Sequence, residues 1–313
     1  MSDRTPTLSA MERMLLLRAL PALAQLEDQE LAAVVHRTSL ARFPAGATLL
    51  RQGDLNHATY VVAEGRVQSV RDGEVIATGE RRIGVGALAM FADARNAASV
   101  VAEGDVTVLK LSRTQMIEVL EGHFSILNSI LRFIASEVMI AFDRLANDYV
   151  VPLRERPAPS YLPSVERDLD LVERILALRR VPAFARSNLD AVAQYALLLE
   201  QVYVPAGEVL WEEGEHCANY LHLVHGHVRC VREATSTELR FGPPGMPGFI
   251  GALADAPRWY RAEAVSPVVA LRADREILPD VLEDNVEMGK RFLAAAARRL
   301  MHVIELGGGT TRG

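Results

Sequence analysis

The feature that most constrains this chain is that it is written twice. Pro44-Ala45-Gly46 returns as Pro205-Ala206-Gly207, an offset of 161 residues (205−44). The same offset carries Pro21 onto Pro182, Gly53 onto Gly214 and Gly65 onto Gly226. Further on, Gly86 is matched to Gly251, an offset of 165 (251−86), which gives the second copy four extra residues in between. Glycine held at fixed spacing marks turns that other residues enter only with strain. The pattern predicts two copies of one domain resting on the same tight turns.

A chain of 313 residues has room for two domains of ordinary size, each with its own core. Half of the residues are hydrophobic and 24% are charged, the balance of a globular protein. The net charge of −6 argues against non-specific attraction to nucleic acid or anionic membranes. Cys217 and Cys230 form no CxxC pair, so a reducing, cytoplasmic setting is expected. No unbroken apolar run reaches the ~18 residues of a spanning helix, and no membrane association is expected. The apolar stretch from Met14 to Leu26 contains Arg18 and the repeat residue Pro21, and reads as an opening helix rather than a secretion signal.

Helical spacing of apolar residues predicts a helix over Leu8–Leu20 and its counterpart over Val165–Arg180. Each is followed by a Pro-Ala turn and a second helix, Asp28–Arg37 and Ser187–Leu198. Short segments rich in Val, Leu, Tyr and Thr come next: Ala47–Arg51, Thr59–Ala63, Arg66–Val70 and Val75–Thr78, the last two joined by the hairpin signal Asp72-Gly73. Such a run predicts a small antiparallel roll, jelly-roll-like. A long helical pattern over Arg113–Asp148 must break near Glu121-Gly122, because glycine costs ~1 kcal/mol inside a helix. Pro152, Pro157, Pro159 and Pro163 predict an extended linker. The second copy ends on a helix from Arg275, broken near Asp284-Asn285 and resuming to Glu305, and the glycine-rich tail from Gly307 is expected to be disordered.

The expected fold is therefore α+β, with two antiparallel β-rolls, each flanked by N- and C-terminal helices. The expected limits are 8–149 for the first domain, 150–164 for the linker, 165–305 for the second domain and 306–313 for the tail. The apolar face of the first long helix (Leu127, Ile130, Ile134, Val138, Phe142) packs on its own roll, or pairs with a twin in a homodimer through the 113–148 helix. The sequence leaves both open.

One segment in each roll carries chemistry. The first copy reads VGALAMFADARNAASV over Val85–Val100, the second IGALADAPRWYRAEAV over Ile250–Val265. Each places a glycine before small and apolar residues that suit a short helix. Ten residues after the glycine comes a polar position, Asn96 or Arg261. A helix start directs free amides toward an anion, and an adjacent arginine adds a charge-assisted contact to phosphate. The candidate ligand-binding residues are Gly251, Ala252, Leu253, Arg261, Ala262 and Arg258 in the second copy. In the first they are Gly86, Ala87, Leu88, Asn96 and Ser99.

The order of these features resembles the cyclic-nucleotide-binding domain of catabolite activators, protein kinase A regulatory subunits and nucleotide-gated channels. The resemblance covers about Leu15–Phe142 and Leu171–Ile304. It implies a cassette FGE[LI]AL followed by PRxA[ST], in which the Glu accepts the ribose 2′-OH and the Arg grips the cyclic phosphate. A residue of the following helix caps the base. Against that pattern, the glutamate positions are Ala87 and Ala252, the arginine positions Asn96 and Arg261, and the hydroxyl positions Ser99 and Ala264. Arg95 sits next to Asn96 on the opposite side of the strand. The first copy has lost both anchors and the second only one, so the second is the more competent. The resemblance also implies that the C-terminal helix around Phe292–Met301 swings to cap the base.

The resulting expectation is a non-enzymatic regulatory protein that binds cAMP, cGMP or a related ligand and signals to a partner protein. One alternative is a ligand-independent interaction scaffold. Another is a cyclic dinucleotide receptor, in which Arg258 and Arg261 pair with phosphates while Trp259 and Tyr260 stack on bases. No P-loop, GxSxG or HExxH motif appears, and no enzyme or cofactor is expected. His222, His225 and His227 lie near Cys217, but strand alternation splays them, so no metal is expected. Too little chain follows either long helix for a helix-turn-helix, so no DNA-binding domain is expected.

Overall fold

The structure, a computed structural model, describes residues 8–145, 150–151 and 167–307. The proline-rich linker beyond Val151 and the tail beyond Gly307 lie outside the described residues. The chain forms two compact units. One runs to Phe133 and includes the chain from Ala296 onward, and the other is Ile134–Ala295.

The first unit opens with α1 (Ala10–Arg18), capped by Ser9, whose hydroxyl accepts from the Glu12 amide while Glu12 reaches back to the Ser9 amide. A short Pro21–Leu23 turn of 3-10 helix leads to α2 (Asp28–Arg37). The strands are β1 (Ser39–Phe43), β2 (Thr48–Leu50), β3 (Ala58–Glu64), β4 (Val67–Arg71), β5 (Glu74–Gly79) and β6 (Gly84–Val85). Helix α3 (Ala87–Ala92) precedes β7 (Ser99–Ala102) and β8 (Val106–Ser112). They form two antiparallel sheets, β1-β8-β3-β6 and β2-β7-β4-β5. Alternation along each strand sends Ala58, Tyr60 and Val62 of β3 and Val106 and Val108 of β8 into one core with Leu49, Leu50, Val67 and Val100. Asp72 and Gly73 both take positive φ, as a two-residue hairpin turn requires.

Helices α4 (Arg113–Gly122) and α5 (Phe124–Asp143) follow, separated at His123, beside the expected break. Helix α5 is long and apolar enough on average to cross a membrane, although no unbroken apolar run signalled it. Along α5, Leu127, Ile130, Ile134, Val138 and Phe142 are all buried.

The second unit contains β9 (Val150–Val151), α6 (Leu171–Leu178), α7 (Pro182–Ala185), α8 (Leu189–Leu197), β10 (Glu200–Val204), β11 (Val209–Trp211), β12 (Asn219–His225), β13 (Val228–Arg232) and β14 (Thr237–Phe241). Then come α9 (Phe249–Ala254), β15 (Arg261–Ala264), β16 (Val268–Asp274), α10 (Ile277–Asp284) and α11 (Val286–Leu306), the last continuing past Ala295. Its sheets are β10-β16-β12 and β11-β15-β13-β14-β9, antiparallel except for β9 beside β14. Among the described residues it has no counterpart of β6.

The repeated glycines do what their spacing promised. Gly65 and Gly226 both take positive φ, 90° and 82°, and at each a Cβ would strike a backbone carbonyl, that of Asp105 or of Pro267. The offset, however, changes by one residue and not by four. Strand β3 maps onto β12 by 161 (219−58), and β7 maps onto β15 by 162 (261−99).

Candidate functional site

The one-residue change places the second cassette differently from the sequence match. Helix α3 begins after Gly86 (φ 88°) and closes on Asp93 (φ 53°), both left-handed. Helix α9 begins after Gly248 (φ 85°) and closes on Asp255 (φ 55°). The counterpart of Gly86 is therefore Gly248, and Gly251 lies within the helix. Backbone bonds confirm the register. In the first copy the Asn96 amide donates to Asp54 and its carbonyl accepts from Gly53. In the second the Arg258 amide donates to Glu215 and its carbonyl accepts from Gly214.

Three expectations are corrected by this register. The counterpart of Asn96 is Arg258, not Arg261. The counterpart of Ala87 is Phe249, not Ala252. Arg261 stands opposite Ser99, so Ala264 is not the hydroxyl position. The Pro257-Arg258 dipeptide was the signal in the sequence, since the cassette pattern has Pro-Arg at that place.

In the first copy the polar residues are spent on the frame. The Asn56 side chain donates to the Gly86 carbonyl and accepts from the Ala58 amide. The buried Asn96 donates to the Arg51 carbonyl at 3.1 Å, and Ser99 accepts from the Gln52 amide. Arg95 reaches the Gly53 carbonyl from an exposed position. Ala87 and Leu88 form the first turn of α3 and offer no acceptor for a hydroxyl. Beside Asn96 lies a cavity of about 380 Å3.

In the second copy the same place is filled. Arg258 is only 6% exposed, and its guanidinium carbon lies 3.9 Å from the centre of the Trp211 ring. Its Nη2 donates to Asn219 Oδ1 at 2.9 Å, while Nε and Nη1 have no acceptor among the described residues. A Cβ on Gly248 would lie 2.6 Å from Nη1, so the guanidinium rests directly on the glycine that opens α9. Burial pulls the Arg258 pKa below the usual arginine range and pushes the neighbouring Cys217 thiol up.

The aromatic residues of this cassette have separate tasks. Tyr260 is buried, and its hydroxyl accepts from the Gly248 amide at 2.6 Å. Trp259 packs 5.5 Å from Phe142 of α5 and keeps a buried Nε1 without an acceptor. Phe249, first in α9, lies 5.8 Å from Phe292 of α11 and 5.2 Å from Tyr220. Arg261 is bound to Glu263 at 2.6 Å and Glu212 at 3.3 Å, which raises its pKa. Ala262, Ala252 and Leu253 are buried packing residues. Trp259 and Tyr260 pack edge-to-face at 4.8 Å, and Tyr260 is buried. The two arginines are held by different partners, Arg258 by Trp211 and Asn219 and Arg261 by Glu263 and Glu212, so the four do not form the exposed platform a dinucleotide would need. Near this site His222 is buried and bonded to Tyr195, and among the described residues no group of His, Cys, Asp or Glu is placed to hold a metal.

The family model described as cyclic nucleotide-binding domain matches residues 40–123 and 201–285. The cAMP-dependent protein kinase regulatory subunit of Aspergillus niger is 32% identical over 99 residues, 31% of this chain and 24% of that protein. The CRP-like cAMP-activated global transcriptional regulator of Mycobacterium tuberculosis is 28% identical over 127 residues, 39% of this chain and 57% of that protein. The match therefore spans about a quarter and just over half of these two relatives. Among solved structures, the regulatory subunit of a cAMP-independent protein kinase A from Trypanosoma brucei aligns with TM-score 0.34 and 15% identity over 88% of each chain. The N-terminal domain of a Streptomyces coelicolor transcriptional regulator aligns with TM-score 0.39 and 27% identity, covering 41% of this chain and 93% of that one.

Proposed function

This chain belongs to the cyclic nucleotide-binding domain family, with two such domains in tandem, and from that premise we propose a non-catalytic regulator whose second roll receives a cyclic nucleotide. The observation that carries the reading is a buried cation with donors to spare. Among the described residues, Arg258 Nε and Nη1 are buried and find no acceptor. Leaving buried donors unpaired costs about 1–3 kcal/mol each, and more for a charged group. A phosphate supplies acceptors and the missing negative charge together.

In this reading Arg258 holds the anion, and Trp211 and Asn219 hold Arg258. Two ring contacts lead outward from the cassette, Phe249 to Phe292 on α11 and Trp259 to Phe142 on α5. An anion that moved α9 or Trp259 would shift the balance of these helices and alter a surface read by a partner protein. The two free cysteines suit a reducing, cytoplasmic setting.

A thermal-shift titration of the full chain tests the reading, with cAMP, cGMP, c-di-GMP and c-di-AMP as ligands. Stability should rise as RT ln(1+[L]/Kd) with a mononucleotide. Arg258→Ala should remove the response and Arg261→Ala should keep it. Indifference to every nucleotide overturns the receptor reading and leaves an interaction scaffold.

A further inference from the structure

The two rolls differ at three matched positions around one space. Roll two places Arg258, Trp211 and Asn219 there, and roll one places Asn96, Leu50 and Ala58, each smaller than its counterpart. The space they leave is the cavity of about 380 Å3, within the size range of small-molecule sites. Its wall includes Lys110, Tyr60, His57 and Asp54, and none of the residues of α3.

Lys110 and Tyr60 are direct cross-strand partners on β8 and β3, and both line the cavity. Among the described residues, the Lys110 ammonium makes no ion pair and the Tyr60 hydroxyl no hydrogen bond. The counterpart pair in roll two is Leu221 and Arg272, and there the cation is neutralised by Glu200. Roll one therefore lacks the cassette arginine, and at the place of Arg272 and Leu221 it carries a cation without a counter-ion beside a phenol. Asn96, which also lines the cavity, spends its NH2 on Arg51 and keeps a side-chain oxygen able to accept.

We propose that this cavity is a second ligand site, selective for a small hydroxylated organic phosphate. Lys110 and Tyr60 take the phosphate, while Asn96 Oδ1 and Asp54 accept from hydroxyls. The site does not depend on Arg258, nor on the nucleotide reading of roll two.

Calorimetric titration of the full chain with ribose 5-phosphate and glucose 6-phosphate tests it, with ribose and inorganic phosphate as comparison probes. Saturable binding of a sugar phosphate is expected, at least tenfold tighter than either fragment. Lys110→Met should weaken it more than tenfold and Tyr60→Phe severalfold, and Arg258→Ala should leave it unchanged. Without ligand, Lys110→Met should raise Tm, because it removes an unpaired inward cation, whereas a structural lysine would give a lower Tm. The triple change Leu50→Trp, Ala58→Asn, Asn96→Arg copies the filling of roll two and should abolish binding while the fold melts cooperatively. Equal affinity in Lys110→Met, or no saturable response to either sugar phosphate, overturns the proposal. So does cyclic-nucleotide binding that is lost in Lys110→Met and kept in Arg258→Ala, since the cavity would then serve the nucleotide.

Discussion

The Arg258 guanidinium lies over Trp211 in the interior of the second roll, and among the described residues it makes one hydrogen bond, to Asn219. Two opposing effects meet here. A desolvated cation over an indole gains about 2 kcal/mol. The unpaired donors Nε and Nη1 cost about 1–3 kcal/mol each. The charged hydrogen bond to Asn219 adds about 1.5–3 kcal/mol to what is lost, so loss and relief nearly cancel and Arg258→Met should change unliganded stability by no more than about 1 kcal/mol. Trp211→Leu removes packing without relieving a charge and should cost about 2–3 kcal/mol. Both tryptophans, Trp211 and Trp259, belong to the second unit, so fluorescence during urea unfolding reports on it directly. A loss above about 3 kcal/mol in Arg258→Met would make the arginine a strut rather than an anion receptor.

His222 makes the second unit sensitive to acid. It is buried against Tyr195, whose hydroxyl lies 2.7 Å from His222 Nε2, and burial lowers its pKa to about 3. The unfolded ring titrates near 6.5. Between those values the unfolded chain binds the proton and the folded one does not, so this contribution to stability is full above pH 6.5 and falls as pH drops toward 3. From pH 6.5 to pH 5 the loss should approach about 2 kcal/mol. The matched residue of roll one is the buried Val61 (222−161), which makes His222→Val a substitution the fold already accommodates. That variant should remove this part of the acid dependence in urea midpoints measured at the two pH values. An unchanged slope would place the acid sensitivity elsewhere.

Gly214 and Gly226 separate backbone strain from crowding. Both have positive φ, 87° and 82°, but a Cβ at Gly214 meets nothing within 4 Å, whereas at Gly226 it strikes the Pro267 carbonyl. Gly214→Ala should cost about 1–2 kcal/mol from the left-handed backbone alone. Gly226→Ala adds a displacement of β16 and should cost about 3 kcal/mol or more. Equal costs measured by chemical unfolding would mean that the β13 turn yields without resistance.

Much of this was legible in the chain because it rests on local chemistry. The Pro-Ala-Gly turns, the Asp72-Gly73 hairpin and the helix break beside Gly122 follow from residues that permit few backbone shapes. The second cassette is not legible in this way, for an equally physical reason. Gly86-Ala87-Leu88-Ala89 and Gly251-Ala252-Leu253-Ala254 are identical tetrapeptides, so identity pulled the register by three residues. The structure sets it by the left-handed pair, Gly248 and Asp255, whose conformations a residue match does not weigh. The Arg258–Trp211–Asn219 cluster joins residues 39 and 47 positions apart (258−219 and 258−211), a distance only the closed roll brings together.

The corrected register makes one prediction about ligand choice. The resemblance implies a glutamate that accepts the ribose 2′-OH, and in the second roll that place belongs to Phe249, which packs against Tyr220 and Phe292. A phenyl ring cannot accept that hydrogen bond, so the 2′-OH gains nothing there over water. A nucleotide lacking it loses no partner. cAMP and 2′-deoxy-cAMP should therefore stabilise the full chain with affinities within about threefold, whereas an intact acceptor would separate them by one to two decades, about 1–3 kcal/mol. Phe249→Leu keeps the site apolar and should not create a preference. If cAMP binds more than tenfold tighter than its deoxy form, another group accepts the hydroxyl, and the first cavity, which Asn96 lines, becomes the place where the nucleotide sits.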